Sequence, residues 1–300
     1  MRTILNIDYS GVQLIQVQPK RQGANIIGFA QKGWSDEEKV AICSGKELPP
    51  KHLEKIKDTF RSLVDSNKLK GKEIDILLPD CIAMTKILDL DNVPPKKDEL
   101  LKLIYFKGQK SPPYSFEDTR IGVKVFPGKY GDGKVRVLVV FTSRVLIERY
   151  ENILCDLGLE PGRIELSTFN LYNLFEAELS REEDTVLVAA FKNFFSLFLF
   201  SHGLPVFIRS KPLDGMDSRV FFEVKTSFLY YQNKNSTYRP RSVLLWGIDE
   251  NSDIVAWFEE SLAVKPGFLK PRVPLTIKPG LSISPEEMMR LVPAIGMIIK

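Results

Sequence analysis

What this chain has little of narrows its chemistry first. Of 300 residues, three are cysteine and two are histidine. Cys43, Cys81 and Cys155 are odd in number, far apart and without C-x-x-C spacing, which excludes a disulfide framework and a cysteine-rich metal site. They are expected as small buried side chains in a reducing compartment. His52, at a helix start, and His202, in a turn, have no carboxylate or cysteine at ligand spacing and read as surface histidines. The serines and the acidic clusters Glu182-Glu183-Asp184 and Glu286-Glu287 show no arrangement of nucleophile, base and orienting group. Long apolar runs are missing as well. The most apolar stretch, Phe194 to Ile208, is broken at Ser201-His202-Gly203 and falls short of the roughly 18 to 20 residues that a membrane-crossing helix needs. The chain opens almost directly on a strand, so no signal peptide is expected, and no segment is of low complexity. The net charge of +4 is spread along the chain, which argues against a nucleic-acid partner.

What is present is a repeated layout. Thr3 to Val17 reads as two apolar strands around a polar turn, with Asn25 to Ala30 as a third strand. Thr185 to Phe200 reads the same way and turns through Ser201-His202-Gly203 into Leu204 to Arg209. Each meander is followed by helical sequence, which predicts a duplicated α/β architecture with two lobes facing across a cleft. The length also exceeds what one core usually holds.

Between the meanders, Lys51 to Asn67 carries Leu53, Ile56, Phe60, Leu63 and Val64 at helical spacing and is expected to dock on a sheet. Short strands follow at Glu73 to Leu78 and Met84 to Leu90. A Lys-rich helix from Lys96 to Lys107 comes next, then strands at Ile121 to Phe126 and Lys134 to Phe141 joined by the Tyr130 to Gly133 turn. Ser143 is the expected N-cap of a helix ending at Gly158. These boundaries give a first lobe of residues 1–81 and 160–181, an inserted α+β subdomain of 82–159, and a second lobe of 182–300. The second lobe is expected to hold helices at Asp217 to Gln232, Ser252 to Ala263 and Pro285 to Ile299. The lysines Lys96, Lys97, Lys102, Lys107 and Lys110 read as a solvated helix face, with anionic lipid headgroups as the sharper alternative.

The order of these elements resembles the actin-like ATPase superfamily, and within it the PilM-like proteins of type IV pilus assembly. FtsA and the cytoplasmic domain of GspL are related. The resemblance is carried by Ile4 to Ile15 in place of a D-I-G-x-S-x-V-K segment and by the proline-closed strand Ile74 to Pro79. It is carried also by the Lys96 helix with Pro112 to Glu117, by Leu154 to Pro161, and by the closing stretch Val292 to Lys300. It implies an actin-like two-lobed fold whose phosphate turns and adenosine turn hold ATP and Mg²⁺ between the lobes.

The residues at those turns depart from that pattern. The family's Asp, Gly and Lys fall on Asn6, Asp8 and Gln13, its second D-x-G on Ala189-Ala190-Phe191, and its adenosine turn on Trp246-Gly247-Ile248-Asp249. Asp8, Tyr9, Ser10, Gly11, Gln13 and Gly247 are what remains of a nucleotide cleft, with no catalytic residue, no metal ligand and no cofactor expected. A one-residue shift of register would return an acidic role to Asp8 and with it an ATP/Mg-binding enzyme. The resemblance implies a non-catalytic cytoplasmic adaptor at the inner membrane. Its expected partners are the cytoplasmic tail of a PilN-like single-pass membrane protein and other platform proteins of a pilus or type II secretion machine. Membrane association would then run through the partner. A groove bounded by 51–67 and 82–141 is the expected tail site. A working ATPase or sugar kinase, and a GspL-type domain of a longer membrane protein, are the alternatives.

Overall fold

The computed structural model describes residues 1–300 apart from 22, 36–37, 40–45, 70, 109–114, 129–132, 177–178, 180–182, 214–217, 271–273 and 299–300. Cys43, Lys110, the Pro112 to Tyr114 run, the Tyr130 to Asp132 turn, Asp217 and Ile299 therefore lie outside the described residues.

In chain order the first lobe opens with β1 (Arg2–Asp8), β2 (Gly11–Lys20), β3 (Gly23–Gly33), α1 (Pro50–Ser66) and β4 (Glu73–Leu78). The inserted unit comprises β5 (Met84–Leu90), α2 (Lys97–Gly108), β6 (Thr119–Val125) and β7 (Val135–Ser143). The chain returns through α3 (Arg144–Asp156), β8 (Glu160–Leu166) and α4 (Ser167–Phe175). The second half holds β9 (Asp184–Phe191), β10 (Phe194–Ser201), β11 (Leu204–Pro212), α5 (Ser218–Lys234), β12 (Pro240–Trp246), α6 (Asp253–Leu262), β13 (Gly267–Phe268), β14 (Leu275–Ile277) and α7 (Pro285–Gly296).

The two large sheets share one plan. Their strand orders are β14-β3-β2-β1-β4-β8 and β11-β10-β9-β12-β13, so without β14 they match strand for strand. In each, an antiparallel meander is extended by parallel strands. The hairpin turns match too, since Asp8 sits opposite Gly11 and Phe191 opposite Phe194, leaving two residues at each tip. A third sheet, β5-β7-β6, is antiparallel throughout.

The central strands are buried on both faces, and their side chains alternate between the two. Leu5, Ile7, Val12, Leu14, Ile74 and Ile76 face α1 and α3, where Phe60 and Tyr150 stack at 6.1 Å between ring centroids. Fully burying a side chain of this size stabilises by roughly 1.5–3 kcal/mol. The opposite face of the same sheet, with Ile4, Ile15, Val17 and Leu77, packs on Leu291, Ala294 and Ile295 of α7. In the second sheet Val186, Val188, Leu197 and Leu245 pack on α5 and α6, while Leu187, Phe198, Phe200 and Trp246 pack on α4 and on Val292 of α7. Helices α4 and α7 thus lie between the two sheets.

The expected boundaries and burials need correction: α3, placed within the inserted subdomain of 82–159, packs on the first sheet through Leu146, Tyr150 and Ile153. The assignment of residues 182–300 to the second lobe fails at its end, because β14 pairs in parallel with β3 and α7 docks on the first sheet. The apolar side chains Leu291, Ala294 and Ile295 have their complement there. Of the cysteines expected to be buried, Cys155 is exposed and Cys81 is half-buried. Cys155 falls on the solvent side of α3, whose buried positions include Ile153 and Leu154.

Candidate functional site

Helix α7 begins with a capping box. The Ser284 hydroxyl accepts from the Glu287 N–H at 3.2 Å, and the Glu287 carboxylate accepts from the Ser284 N–H at 2.6 Å. The Ser284 N–H holds the Glu287 carboxyl below its ordinary pKa. Pro285 fits the first helical position because no N–H is needed there. The cap fixes where the chain enters the space between the lobes, and the first turns of α7 then meet all three turns singled out from the sequence.

At the first turn, Asp8 accepts the Ser10 N–H at 2.7 Å and the Gly11 N–H at 3.1 Å. Its two carboxylate oxygens also take a bidentate grip from Arg290 of α7, at 2.8 and 2.9 Å. Both side chains are largely buried, 15% and 14% exposed, which makes this a strong, geometrically specific pair. Beside it, the buried Asn6 amide donates to Gln13 Oε1 at 2.9 Å and to the Arg290 carbonyl at 2.8 Å. Gln13 donates on to the Glu287 carbonyl at 3.5 Å, and Gln31 donates to the Glu287 carboxylate. Asn6 and Gln13, which replace the expected carboxylate and cation, thus tie β1 and β2 to the backbone of α7. Gly11 is needed for packing, since a Cβ there would stand 2.4 Å from the Lys32 carbonyl oxygen of β3. The Tyr9 hydroxyl accepts from the Cys81 thiol at 3.6 Å, and burial pushes that thiol up to about 12, so it stays protonated.

The second turn is joined to the first directly. The Asn193 amide donates to the Ser10 hydroxyl at 3.1 Å, one lobe's hairpin tip to the other's. Next to it, Lys192 meets Glu286 of α7 at 3.5 Å, and Phe191 stacks on Phe194 with centroids 4.4 Å apart. At the third turn, Gly247 has a positive φ of 69°, and a Cβ would lie 2.0 Å from the Ala190 carbonyl oxygen and 3.5 Å from Met289 Cε of α7. Its lack of a side chain is accounted for by that approach. The far end of α7 is pinned as well. Arg163 donates to the Met297 carbonyl at 2.8 Å and to the buried Asp75 at 3.1 Å, and Arg2 reaches the same carboxylate at 3.0 Å.

All six expected cleft residues are therefore brought to one region, Gly247 through Ala190 and Met289. The sequence reading missed Arg290, Glu286, Glu287, Met289 and Asn193. Only the Ser284 to Glu287 spacing advertised anything, namely a helix start. Among the described residues no group of three or more His, Cys, Asp or Glu is placed to hold a metal.

A second feature lies on the flank. An apolar groove of about 660 Å³ runs between the inserted sheet and the body of the molecule. One wall is Gly122 and Lys124 of β6 with Leu138 and Val140 of β7; the other is Ile164 of β8, Phe169 of α4, and Phe198 and Ile208 of the second sheet. Arg120 and Glu151 line it and pair at 3.3 Å. Both β6 and β8 are edge strands of their sheets, the kind of backbone an extended peptide can pair with. The expected boundary at 82–141 holds the inserted wall, but 51–67 forms no part of the groove. Ile56, Phe60, Leu63 and Val64 turn α1 into the outer core instead. At the head of α4, the fully buried Asp80 accepts from the Thr168 N–H at 2.9 Å and from its hydroxyl at 2.8 Å. Burial pushes its carboxyl up to about 6, against the downward pull of those donors.

The duplicated sheets with two helices between them and an inserted three-stranded unit define the actin-like ATPase fold. The chain is similar, over 99% of its length and 96% of the other's, to a chain of the PilM-PilN type IV pilus biogenesis complex, with a TM-score of 0.70 at 13% identity. It is also similar to a protein of Bacteroides thetaiotaomicron with an actin-like ATPase fold, over 97% of this chain and 95% of that one, with a TM-score of 0.55 at 11% identity. The fold is thus PilM-like in arrangement as well as actin-like in class. No protein-family model and no curated protein sequence matches the chain. Among the described residues no helix is long and apolar enough to cross a membrane.

Proposed function

We propose that this protein is a non-catalytic adaptor of a type IV pilus assembly platform, working at the cytoplasmic face of the inner membrane. In this reading the flank groove receives the cytoplasmic tail of a PilN-like membrane protein. The observation that carries it is the contrast between a filled cleft and an apolar groove. Asp8, the acidic side chain of the first phosphate turn, gives both oxygens to Arg290, so a magnesium ion and triphosphate would have to displace a largely buried bidentate pair. Catalysis of phosphoryl transfer rests on positioning and charge stabilisation, and Asn6, Gln13, Ala189 and Phe191 supply neither. The residues present do not fit the nucleotide.

The groove supports binding on its own terms. Its apolar walls would bury hydrophobic side chains of an extended segment, while the edges of β6 and β8 offer main-chain pairing. Likeness of fold to a chain of a PilM-PilN type IV pilus biogenesis complex supports the choice of occupant. Fluorescence anisotropy with a peptide of the PilN-like tail tests the reading. Saturable binding in the micromolar range, lost in a groove variant such as Val140→Asp, is expected; no binding at tens of micromolar overturns it.

A further inference from the structure

Helix α5, on the outside of the second lobe, carries a face for which the adaptor role has no use. Its inner side is core, with Val220, Val224 and Phe228 buried against the sheet and α6. Its outer side is exposed at Arg219, Phe222, Thr226, Leu229, Tyr230 and Lys234, a stripe at helical spacing. Phe222 is 66% exposed, Tyr230 52% and Leu229 37%. Isolated apolar residues on a surface are ordinary, whereas three large ones along one helix face mark a contact surface.

The exposed charges on α5, Arg219 and Lys234, are cationic. The only acid on α5, Glu223, is turned away from the stripe toward β11, where it meets Arg209 at 3.2 Å and Lys211. Lys225 and Lys234 lie over rings instead, 5.4 Å from the Phe221 centroid and 4.4 Å from that of Tyr230. Such lysines have apolar stems along the aromatic surface and ammonium heads at its rim. A second copy of the chain is a poor occupant, because two-fold pairing would set this cationic stripe against itself. An anionic lipid surface matches both components, taking the rings at the headgroup boundary and the ammonium groups at the phosphates.

We propose that the outer face of α5 docks on anionic membrane, with Phe222, Leu229 and Tyr230 entering the interface and Lys225 and Lys234 meeting headgroup phosphates. The contact is independent of the groove and needs no tail peptide. Co-sedimentation of the full chain with vesicles of phosphatidylglycerol and phosphatidylcholine in equal parts, against phosphatidylcholine alone, tests it. Binding to the mixed vesicles is expected, with much weaker binding to the neutral ones. Phe222→Ser with Leu229→Ser should weaken it about tenfold, and Lys225→Glu with Lys234→Glu at least about tenfold. These positions are on the surface, so both variants should keep the wild-type melting temperature. The proposal is overturned if the chain ignores anionic vesicles, if correctly folded variants bind as wild type does, or if the Ser variant instead dissolves a self-associated form that binds no lipid.

Discussion

The cleft between the lobes and the groove on the flank are built from opposite materials. The first two turns of the cleft are polar and bonded from within. Arg290 sits on Asp8, Asn193 on Ser10, Asn6 and Gln13 on the backbone of α7, and Met289 beside Gly247. The groove is apolar and bordered by strand edges. A buried polar group with its partners supplied has little to gain from a ligand, while an apolar surface gains from any partner that removes it from water. In the proposed reading the fold's ligand site serves as internal structure, and recognition falls to the flank groove.

The largest expected effect breaks the groove. Val140→Asp places a charge on its apolar wall and should weaken tail binding by about 2–3 kcal/mol, a loss of roughly thirty- to over a hundredfold, with little change in melting temperature because Val140 is only half-buried. Anisotropy and calorimetric melting on the same preparation separate the two effects.

Asp80, between the two regions, gives a pH signature. Its carboxyl titrates at about 6 in the folded protein against an ordinary value of 3.8. The folded state therefore holds this proton more tightly than the unfolded chain does. The corresponding stability is complete below about pH 3.8 and is lost as pH rises through about 6, amounting to roughly 3 kcal/mol. Chemical denaturation across that window should show a falling limb that Asp80→Asn flattens. Superimposable curves for the two proteins would contradict this.

Breaking the cleft should cost less. Arg290→Ala leaves the Asp8 carboxylate with its two backbone donors but no cation, and should lower stability by about 2 kcal/mol. A double-mutant cycle with Asp8→Asn measures the coupling. Asn193→Ala removes one bond between the hairpin tips and should cost about 1 kcal/mol. Lys192→Ala should leave the melting temperature unchanged, since its pair with Glu286 is mostly exposed.

Much of the fold was legible because it is periodic. The meanders and the stripe on α1 each repeat a local rule, and Ser143 caps α3 through the Leu146 N–H as its type suggests. The return of the chain to the first sheet was not legible. Strand β14 has three residues, too few to show a period, and the docking face of α7 is equally apolar whichever sheet receives it. The site was half legible. Asn6 and Gln13 stand out against the pattern of the actin-like turns, but the carbonyls they bind are 284 and 274 residues away, just as Arg290 is 282 residues from Asp8. Local sequence carries no sign of such a pairing.

Isothermal titration calorimetry of the full chain with Mg-ATP tests the central claim most directly. The account predicts no saturable heat, in the wild type and in Arg290→Ala alike. Stoichiometric binding of Mg-ATP at micromolar affinity by the wild type would show that Arg290 yields its place to the nucleotide, and would contradict it.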